Sequence, residues 1–293
     1  MKPPAFRYHA PETLEETVSL VAEHSWDAKL LAGGQSLVPA MNFRLAAPAI
    51  LIDLNRVIEL QGIEALDNGG IALGAMTRQS AVEHSQVVRE RAPLLHEAMP
   101  WIAHPQIRSR GTIGGSIAHA DPASELPAVM LALGAEFRAR GPEGERTILA
   151  DDFFLGLLMT ALAPDELLTG ITVPALPDRT GVAFAEFARR HGDYALVGAA
   201  AVITLGEDSS CSEARITLLS VGEGPFVAVQ AQAQLLGTDL SDEVIAAAAE
   251  AAATEIDPPA DIHASAEFRR HLTRVLVGRV LGTARARARG VPE

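Results

Sequence analysis

Two short segments of the chain combine paired glycines with small polar side chains, a pattern that suits anion binding. They read AGGQS at positions 32–36 and TIGGS at positions 112–116. Glycine adopts positive φ angles without strain, so neighbouring backbone N–H groups can point the same way. Converging N–H groups form a concavity that binds an anion. Two such segments could bind a diphosphate between them, whereas each segment alone could also be a β-turn.

Other nucleotide-binding patterns and metal sites are not indicated. The chain has neither GxGxxG after a strand nor GxxxxGK[ST], so no Rossmann site and no P-loop is predicted. Cys211 is the only cysteine, which excludes internal disulfides and any cluster held by several cysteines of this chain. His119 and Asp121 stand two residues apart, and such a lone pair is a weak indication of a metal. The sequence therefore predicts no metal site.

Composition narrows the class of protein. The chain has 293 residues, of which 48% are hydrophobic, and this size predicts two or three domains. Its net charge of −13, with scattered basic residues, argues against nucleic acid as a partner. No apolar stretch approaches the roughly 18 residues of a membrane helix, and the first residues lack a signal-peptide core. We therefore expect no membrane span and a cytoplasmic location.

The glycine segments lie between predicted helices and strands. The periodicity of residues 11–24 predicts a helix with Leu14, Val18, Val21 and Ala22 on one face. Around the first glycine pair we predict a short strand that enters the glycine turn, a strand at 50–54 and a hairpin that turns at 68–70. Helices interrupted at Pro93 and Pro100 should follow, and then a polar turn at the second glycine pair. After that turn we predict a helix at 126–133, a strand at 135–140 and a strand that ends at Pro174.

The remaining third of the chain is predicted to follow a linker at residues 175–184. Two strands of antiparallel type, YALVGAAAVITL and EARITLLSVG, come next, and Pro258 stops an alanine-rich helix. The last helix, at 264–287, should carry on one face Phe268, Leu272, Val275 and Leu276.

The two glycine segments and their surroundings resemble a known family. AKLLAGGQSLVPAMNFRLAAPAILIDLNRV and PQIRSRGTIGGSIAHADPASELPAVMLALGAEF are similar to the two FAD-binding signatures of the FAD-binding (medium) subunit of molybdenum hydroxylases, of the carbon monoxide dehydrogenase type. The similarity extends over nearly the whole chain. It implies an α+β protein with the FAD-binding fold of the p-cresol methylhydroxylase type. An N-terminal α/β subdomain (1–57) and a middle α+β subdomain (58–176) would hold FAD, and a C-terminal domain of antiparallel sheet and helices (177–293) would close over it.

The resemblance also implies which residues bind FAD. The first signature would wrap the pyrophosphate with Ala32, Gly33, Gly34, Gln35, Ser36 and Leu37, with Lys29 upstream towards the adenosine end. The second would contact the flavin side and the phosphates through Thr112, Gly114, Gly115 and Ser116. Positions lining the cleft or the flavin ring would be Ile102, Ala118, Leu168, Arg190, Asp193 and Tyr194. Glu125 would bind ribitol or ribose hydroxyls, and Asp121 competes for this role or caps a helix. Glu186 stands in the segment where some relatives carry a lysine.

The implied function is electron transfer, with no catalytic side chain in this chain. FAD would receive electrons from iron–sulfur clusters of a small 2Fe-2S subunit and pass them to an external electron acceptor, which could be a quinone, a cytochrome, NAD⁺ or O₂. A large molybdopterin-binding subunit would oxidise the substrate, and the assembly would be a dimer of heterotrimers. Two alternatives are a stand-alone FAD-dependent reductase of the same fold, similar to the enolpyruvyl sugar-nucleotide reductase, and a non-catalytic scaffold with degenerate nucleotide loops. The sequence does not indicate the substrate.

Overall fold

The computed structural model describes residues 2–291, so residues 1, 292 and 293 of the predicted domain division lie outside it. The first part of the chain is a small parallel sheet with a helix on one side. Its elements are β1 (Arg7–His9), α1 (Leu14–His24), β2 (Ala28–Leu31), α2 (Leu37–Asn42) and β3 (Ile50–Asp53). The strand order is β1-β3-β2 with parallel pairing, so the carboxyl ends of β2 and β3 meet at one edge.

Helix α1 forms where the sequence predicts it. The Thr13 hydroxyl accepts a hydrogen bond from the Glu16 N–H at 3.2 Å and caps the first turn. Val18 and Val21 are buried against the sheet, whereas Ala22, predicted on the same face, is exposed. Short 3₁₀ turns follow α1 at Ser25–Asp27 and β3 at Leu54–Arg56 and Ile58–Leu60.

The middle part is built on an antiparallel sheet of order β4-β5-β10-β6-β7, and a separate hairpin is formed by β8 and β9. The strands are β4 (Ile63–Ala65), β5 (Ile71–Gly74), β6 (Glu136–Gly141), β7 (Gly144–Leu149), β8 (Phe154–Gly156), β9 (Met159–Thr160) and β10 (Leu167–Val173). The hairpin turn predicted at 68–70 is present between β4 and β5.

Helices cover this sheet. They are α3 (Gln79–Glu83), α4 (Gln86–Arg91), α5 (Pro93–Ala98), α6 (Pro105–Arg108), α7 (Ile113–His119), α8 (Glu125–Ala132) and α9 (Ala150–Phe153), with a 3₁₀ turn at Met99–Trp101. Every residue of α8 is buried, so this helix runs through the core rather than over it. In the same core, the ring centroids of Phe137 and Phe153 are 4.4 Å apart.

The last part is a four-stranded antiparallel sheet with three helices. Its elements are β11 (Thr180–Ala188), β12 (Ala195–Leu205), β13 (Cys211–Leu219), β14 (Phe226–Val227), α10 (Val229–Leu235), α11 (Asp242–Glu255) and α12 (Ala266–Ala288). Side chains alternate between the two faces of each strand. On β11, Val182 and Phe184 face the core of the middle part, and Ala183 faces the core that contains α12.

The architecture is α+β, as predicted, and besides Ala22 three local expectations are wrong. The second glycine pair is not a turn: Gly114 and Gly115 lie in the first turn of α7, which Thr112 caps. The predicted linker at 175–184 is shorter, because β11 already begins at Thr180. On α12 the buried face includes Leu272 and Leu276 but not Phe268, which is 39% exposed. Among residues 2–291, no helix is long and apolar enough to cross a membrane.

Candidate cofactor site

The first glycine segment lines a cleft at the carboxyl edge of the parallel sheet. Strand β2 ends at Leu31, and the chain turns through residues 32–36 before α2 begins. Ligands of open α/β sheets bind at such carboxyl edges. The cleft has a volume of about 360 Å³ and is lined by Leu31, Ala32, Gly33, Gly34, Gln35, Val38, Pro39, Asp53, Asn55 and Arg110.

Four consecutive backbone N–H groups of this segment lack a hydrogen-bond partner. Within the described part of the chain, the N–H groups of residues 33–36 donate to no backbone or side-chain acceptor. Gly34 has φ = +72°, which reverses the chain and which glycine adopts without strain. The Gln35 side chain bonds inward, from Nε2 to the carbonyl of Gly33 at 3.0 Å. Unpaired N–H groups beside a cleft suit an anion, and this geometry favours an anion-binding loop over a plain turn.

The N–H groups of the second segment are already used inside the protein. Ile113 donates to the carbonyl of Thr77 at 3.0 Å, and Gly114 donates to the carbonyl of Ala75 at 2.9 Å. Gly115 donates to Oγ1 of Thr112 at 3.0 Å. The expectation that both glycine pairs present free N–H groups is therefore wrong. A ligand would meet this segment through side chains and Cα atoms.

The glycines of the two segments allow the backbones to touch. A Cβ on Gly33 would lie 2.7 Å from Cα of Gly111, and a Cβ on Gly115 would lie 3.2 Å from Cβ of Ala32. The distance at Gly33 is too short for any real Cβ atom. The distance at Gly115 would be possible only if a neighbouring atom moved. The two predicted signatures thus form one continuous wall, and glycine is required because of this contact as well as for turning.

A polar network that sequence reasoning missed fixes the first segment. Asn55 donates from Nδ2 to the carbonyl of Ala32 at 3.0 Å, and its backbone N–H donates to Oδ1 of Asp53 at 2.9 Å. Arg78 donates to Oδ1 of Asn55 at 2.5 Å and also to the carbonyl of Arg110. The hydroxyl of Tyr8 donates to Oδ2 of Asp53 at 2.6 Å, and this bond raises the pKa of Tyr8. The available signal was Asp53 at the end of a buried strand, followed two residues later by Asn55.

Two cationic side chains lie beside the cleft. Arg110 is exposed, lines the cleft and forms no ion pair with any residue from 2 to 291. Burial and the charge of Arg110 lower the pKa of Arg78 below the ordinary arginine value. Lys29, the predicted neighbour, is exposed on β2 and is not among the residues that line the cleft. The positive charge at the loop therefore comes from arginines of the middle part.

Acidic groups gather where α7 leads into α8. Glu125 is the first residue of α8 and is only 7% exposed. Burial raises the pKa of Glu125 to about 7; its own backbone N–H and Arg108 oppose the rise, and the charge of Asp121 adds to it. Oδ1 of Asp121 accepts a hydrogen bond from the Ala123 N–H at 2.9 Å, so Asp121 caps this turn, and the N-cap of α8 is Ser124.

The tyrosine predicted near the flavin belongs to the same group. Tyr194 is 66% exposed just before β12, and desolvation followed by the charges of Asp121 and Glu125 raises its pKa. Glu186 on β11 is 8% exposed, and burial together with Glu125 raises its pKa to about 8. The sequence resemblance assigns no cofactor contact to Glu186.

The other predicted site residues have different surroundings. Ile102 is buried, and its carbonyl accepts a bond from Arg108 at 2.8 Å. Arg108 is itself buried and bonded twice to Glu83, at 2.8 and 2.9 Å. The remaining members are Leu168, buried in β10; Ala118 and Arg190, both exposed; Leu37, half-buried at the start of α2; Ser36, exposed at its N-cap; Ser116, half-buried on α7; and Asp193, ion-paired to Arg189 at 3.3 Å.

Comparison with protein families matches nearly the whole chain. Residues 4–176 match the family described as "FAD binding domain in molybdopterin dehydrogenase". Residues 182–284 match the family described as "CO dehydrogenase flavoprotein C-terminal domain". The chain is also 46% identical to subunit alpha of the 6-hydroxypseudooxynicotine dehydrogenase complex from Paenarthrobacter nicotinovorans, with 100% of this chain and 99% of that subunit covered.

Solved structures share the complete fold. The carbon monoxide dehydrogenase from Hydrogenophaga pseudoflava that lacks the Mo-pyranopterin moiety contains a chain that is 43% identical, with a TM-score of 0.95 and coverage of 98% of this chain and 99% of that one. Quinoline 2-oxidoreductase from Pseudomonas putida 86 contains a chain that is 38% identical, with a TM-score of 0.92 and 99% of each chain covered.

Proposed function

The chain belongs to the family of FAD-binding medium subunits of molybdopterin dehydrogenases, and from this we propose how its residues hold FAD and which subunits accompany it. It is an FAD-carrying oxidoreductase subunit of a multi-subunit dehydrogenase complex. The full-length match to subunits of such complexes favours this function over a stand-alone enolpyruvyl-type reductase. The intact glycine segments likewise argue against a scaffold without cofactor.

We propose that residues 32–36 bind the FAD pyrophosphate. The observation that carries this assignment is the run of four unpaired N–H groups at residues 33–36 beside the cleft. A pyrophosphate bears negative charge and accepts several hydrogen bonds, so it fits this group of donors. Arg110 supplies a cation at the same cleft, and Asn55 holds the loop by its bond to Ala32.

The second segment and the acidic turn would hold the rest of the cofactor. Thr112, Gly114, Gly115 and Ser116 would contact FAD along α7, and the Ser116 hydroxyl would add a hydrogen bond. Glu125 would accept hydrogen bonds from ribityl or ribose hydroxyls. Further contacts are proposed for Lys29, Leu37, Ile102, Ala118, Asp121, Leu168, Arg190, Asp193 and Tyr194. Bound FAD accepts electrons and passes them on, and the protein contributes binding, orientation and electrostatics.

Besides this medium chain, the complex contains large and small partner subunits. We propose that the large one carries molybdopterin, that the small one carries 2Fe-2S clusters, and that the assembly is a dimer of heterotrimers. The lone Cys211 supports this division, since it is buried, its pKa is raised to about 11 by burial, and a 2Fe-2S cluster needs four ligands. We also propose a cytoplasmic location, an external electron acceptor and the domain division 1–57, 58–176 and 177–293. Each of these three parts has its own main sheet, which supports the division.

An exposed apolar hairpin supports the presence of a partner. The hairpin formed by β8, β9 and the turn between them carries four side chains that are 52–61% exposed: Leu155, Leu157, Leu158 and Met159. Contiguous exposed apolar side chains mark interaction surfaces. Strand β9 lies against α7, next to the proposed FAD site. A subunit bound there would lie near the flavin.

The test is flavin content of the protein purified with its partner subunits. We expect FAD, released on denaturation, in equal amount to the chain, and a tighter FAD complex in the wild type than in Arg110→Ala. Arg279→Ala, which removes an exposed arginine of α12, is the matched control and should bind FAD like the wild type. Purified protein that carries no flavin would contradict the FAD function. An Arg110→Ala variant with unchanged FAD affinity would contradict the assignment of the loop.

A further inference from the structure

Ser220, directly after β13, joins the middle and last parts of the chain. Its backbone N–H donates to the carbonyl of Pro122 at 2.8 Å, and its hydroxyl donates to the carbonyl of Ala195 at 2.7 Å. Its own carbonyl accepts a hydrogen bond from Arg269 on α12 at 3.2 Å. The residue is only 8% exposed. All three polar groups of Ser220 are thus bonded inside the protein, each to a different segment of the chain.

The backbone of Ser220 has a conformation that serine rarely adopts. Its φ angle is +62°, in the left-handed region that disfavours every residue with a side chain. Such strain persists only where the surrounding contacts hold the residue in place. At Ser220 these contacts are the three hydrogen bonds. In this conformation the N–H reaches the middle part of the chain, while the hydroxyl reaches the start of β12.

Helix α7 leads from the first glycine segment to the turn that Ser220 binds. In the first turn of α7, a Cβ on Gly115 would lie 3.2 Å from Cβ of Ala32. After its last residue come Ala120, Asp121 and then Pro122. The 7 residues of α7 rise by about 1.5 Å each, so the helix spans about 10 Å. An FAD molecule bound by its pyrophosphate at residues 32–36 and lying along α7 would meet this turn.

The second carbonyl that Ser220 binds holds the backbone next to Tyr194. Tyr194 precedes Ala195, the first residue of β12, and its side chain is 66% exposed. Among the residues that the structure describes, the Tyr194 hydroxyl has no hydrogen-bond partner, so the backbone sets the place of the ring. Helix α8 packs against β12 and β13, and the buried hydroxyl of Thr217 donates to the carbonyl of Ala128 at 2.8 Å. Tyr194 is therefore held at a fixed separation from the turn before α8.

We propose that Ser220 is a positioning residue of the FAD site, which sets the place of Tyr194 relative to the turn at residues 121–125. The inference rests on the proposed function, since it requires FAD to contact Tyr194. The buried Ser220 hydroxyl is already bonded and acts through Tyr194. Without this hydroxyl, the start of β12 loses its bond to Ser220, and Tyr194 occupies other positions as well. Only a fraction of the molecules is then ready to bind FAD, and the apparent affinity falls by that fraction.

The experiment is a double-mutant cycle in the purified complex, measured as the dissociation constant of FAD. Ser220→Ala removes the hydroxyl and keeps the Cβ. It should raise the dissociation constant by up to about tenfold, which corresponds to one lost hydrogen bond. In a Tyr194→Ala background the same change should alter the constant by less than about twofold, because the residue through which Ser220 acts is absent.

Ser209→Ala is the matched control. Ser209 also has a positive φ, +66°, but it lies in the exposed turn at the opposite end of β12 and β13. Its hydroxyl accepts a hydrogen bond from Arg179 at 2.8 Å, so this variant also loses one bond. The dissociation constant of FAD should remain that of the wild type.

Two further results decide the remaining cases. If Ser220→Ala fails to fold, Ser220→Gly removes the same hydroxyl in the same cycle, and glycine relieves the strain of the positive φ. An unchanged dissociation constant in the folded variant, or an equal increase with and without Tyr194, would overturn the inference and leave the FAD function intact. A wild-type complex without flavin would overturn the proposed function itself.

Discussion

Gly33 and Gly111 are in backbone contact: a Cβ atom built on residue 33 would lie 2.7 Å from Cα of Gly111. These residues are 78 positions apart in the sequence: Gly33 lies in the first glycine segment, and Gly111 directly precedes the second. Because the loop after β2 rests on the chain just before α7, the free N–H groups of the loop have a rigid support. The site therefore depends on a close packing of two loops, as well as on the flexibility of glycine.

Gly33→Ala should lose FAD, because its methyl group would push residues 110–111 away from the loop. We expect a large drop in the ratio of flavin to protein in the purified complex, measured by absorbance and by FAD released on denaturation. Gly282→Ala on α12 is the control. It has open space around its Cβ and no positive φ, and it should raise stability by up to about 1 kcal/mol without changing flavin content. A flavin-replete Gly33→Ala variant would contradict the packing argument.

Asn55→Ala should weaken FAD binding and lower stability together. The change removes the donor to the Ala32 carbonyl and the acceptor for Arg78. Loss of such partners costs about 1–3 kcal/mol of unfolding free energy. Asn68→Ala, which removes a bond to the Gly70 N–H in a distant hairpin, should lower stability but leave the dissociation constant of FAD unchanged. Urea unfolding and flavin titration of both variants separate these effects, and equal FAD affinities would refute the role of Asn55.

Glu186→Gln should change how stability depends on pH. Burial raises the pKa of Glu186 from 4.5 to about 8. Between these pH values the folded chain holds a proton that the unfolded chain has released, so the unfolding free energy falls as pH rises. One such proton is worth up to about 1.4 kcal/mol per pH unit. Glutamine is neutral throughout, so the variant should decline less steeply and exceed the wild type in stability at pH 8.

Urea unfolding of both proteins at pH 5, 6.5 and 8 provides this measurement. At pH 5, where Glu186 is protonated in the folded chain, the two stabilities should differ least. Parallel curves across this range would mean that Glu186 ionises normally in the folded protein.

Leu157→Glu should impair assembly while the isolated chain stays folded. Leu157 is 55% exposed on the apolar hairpin, so a charge there costs little in the free chain but would be buried against a partner subunit. Ile262→Glu, at a 94% exposed position before α12, is the matched surface control. Size-exclusion chromatography with the partner subunits should show loss of the complex for Leu157→Glu only. Normal assembly of this variant would exclude the hairpin as a subunit contact.

Local sequence patterns predicted most elements correctly. Helix α1, strand β3 and the turn at residues 68–70 follow from periodicity, capping and turn residues, which act over a few neighbouring positions. The prediction of a turn at TIGGS was wrong because it, too, used only neighbouring positions. Two glycines usually favour a turn, but Thr112 caps a helix there, and Ala75 and Thr77 accept the bonds of its first N–H groups. Those acceptors lie in a different part of the chain and cannot be read from the segment itself.

By itself, the sequence determined the α+β class and the family, and it predicted a loop able to bind an anion, because each depends on residue types and short spacings. The tertiary structure decided which glycine pair offers free N–H groups, that Arg110 and Asn55 lie at the first loop, and that the Glu186 side chain is buried without a hydrogen-bond partner for Oε2 among the described residues. The physical reason is that hydrogen-bond satisfaction, burial and charge proximity are set by contacts between residues far apart in the chain. Gly33 and Gly111, which are 78 positions apart, are brought into contact in this way.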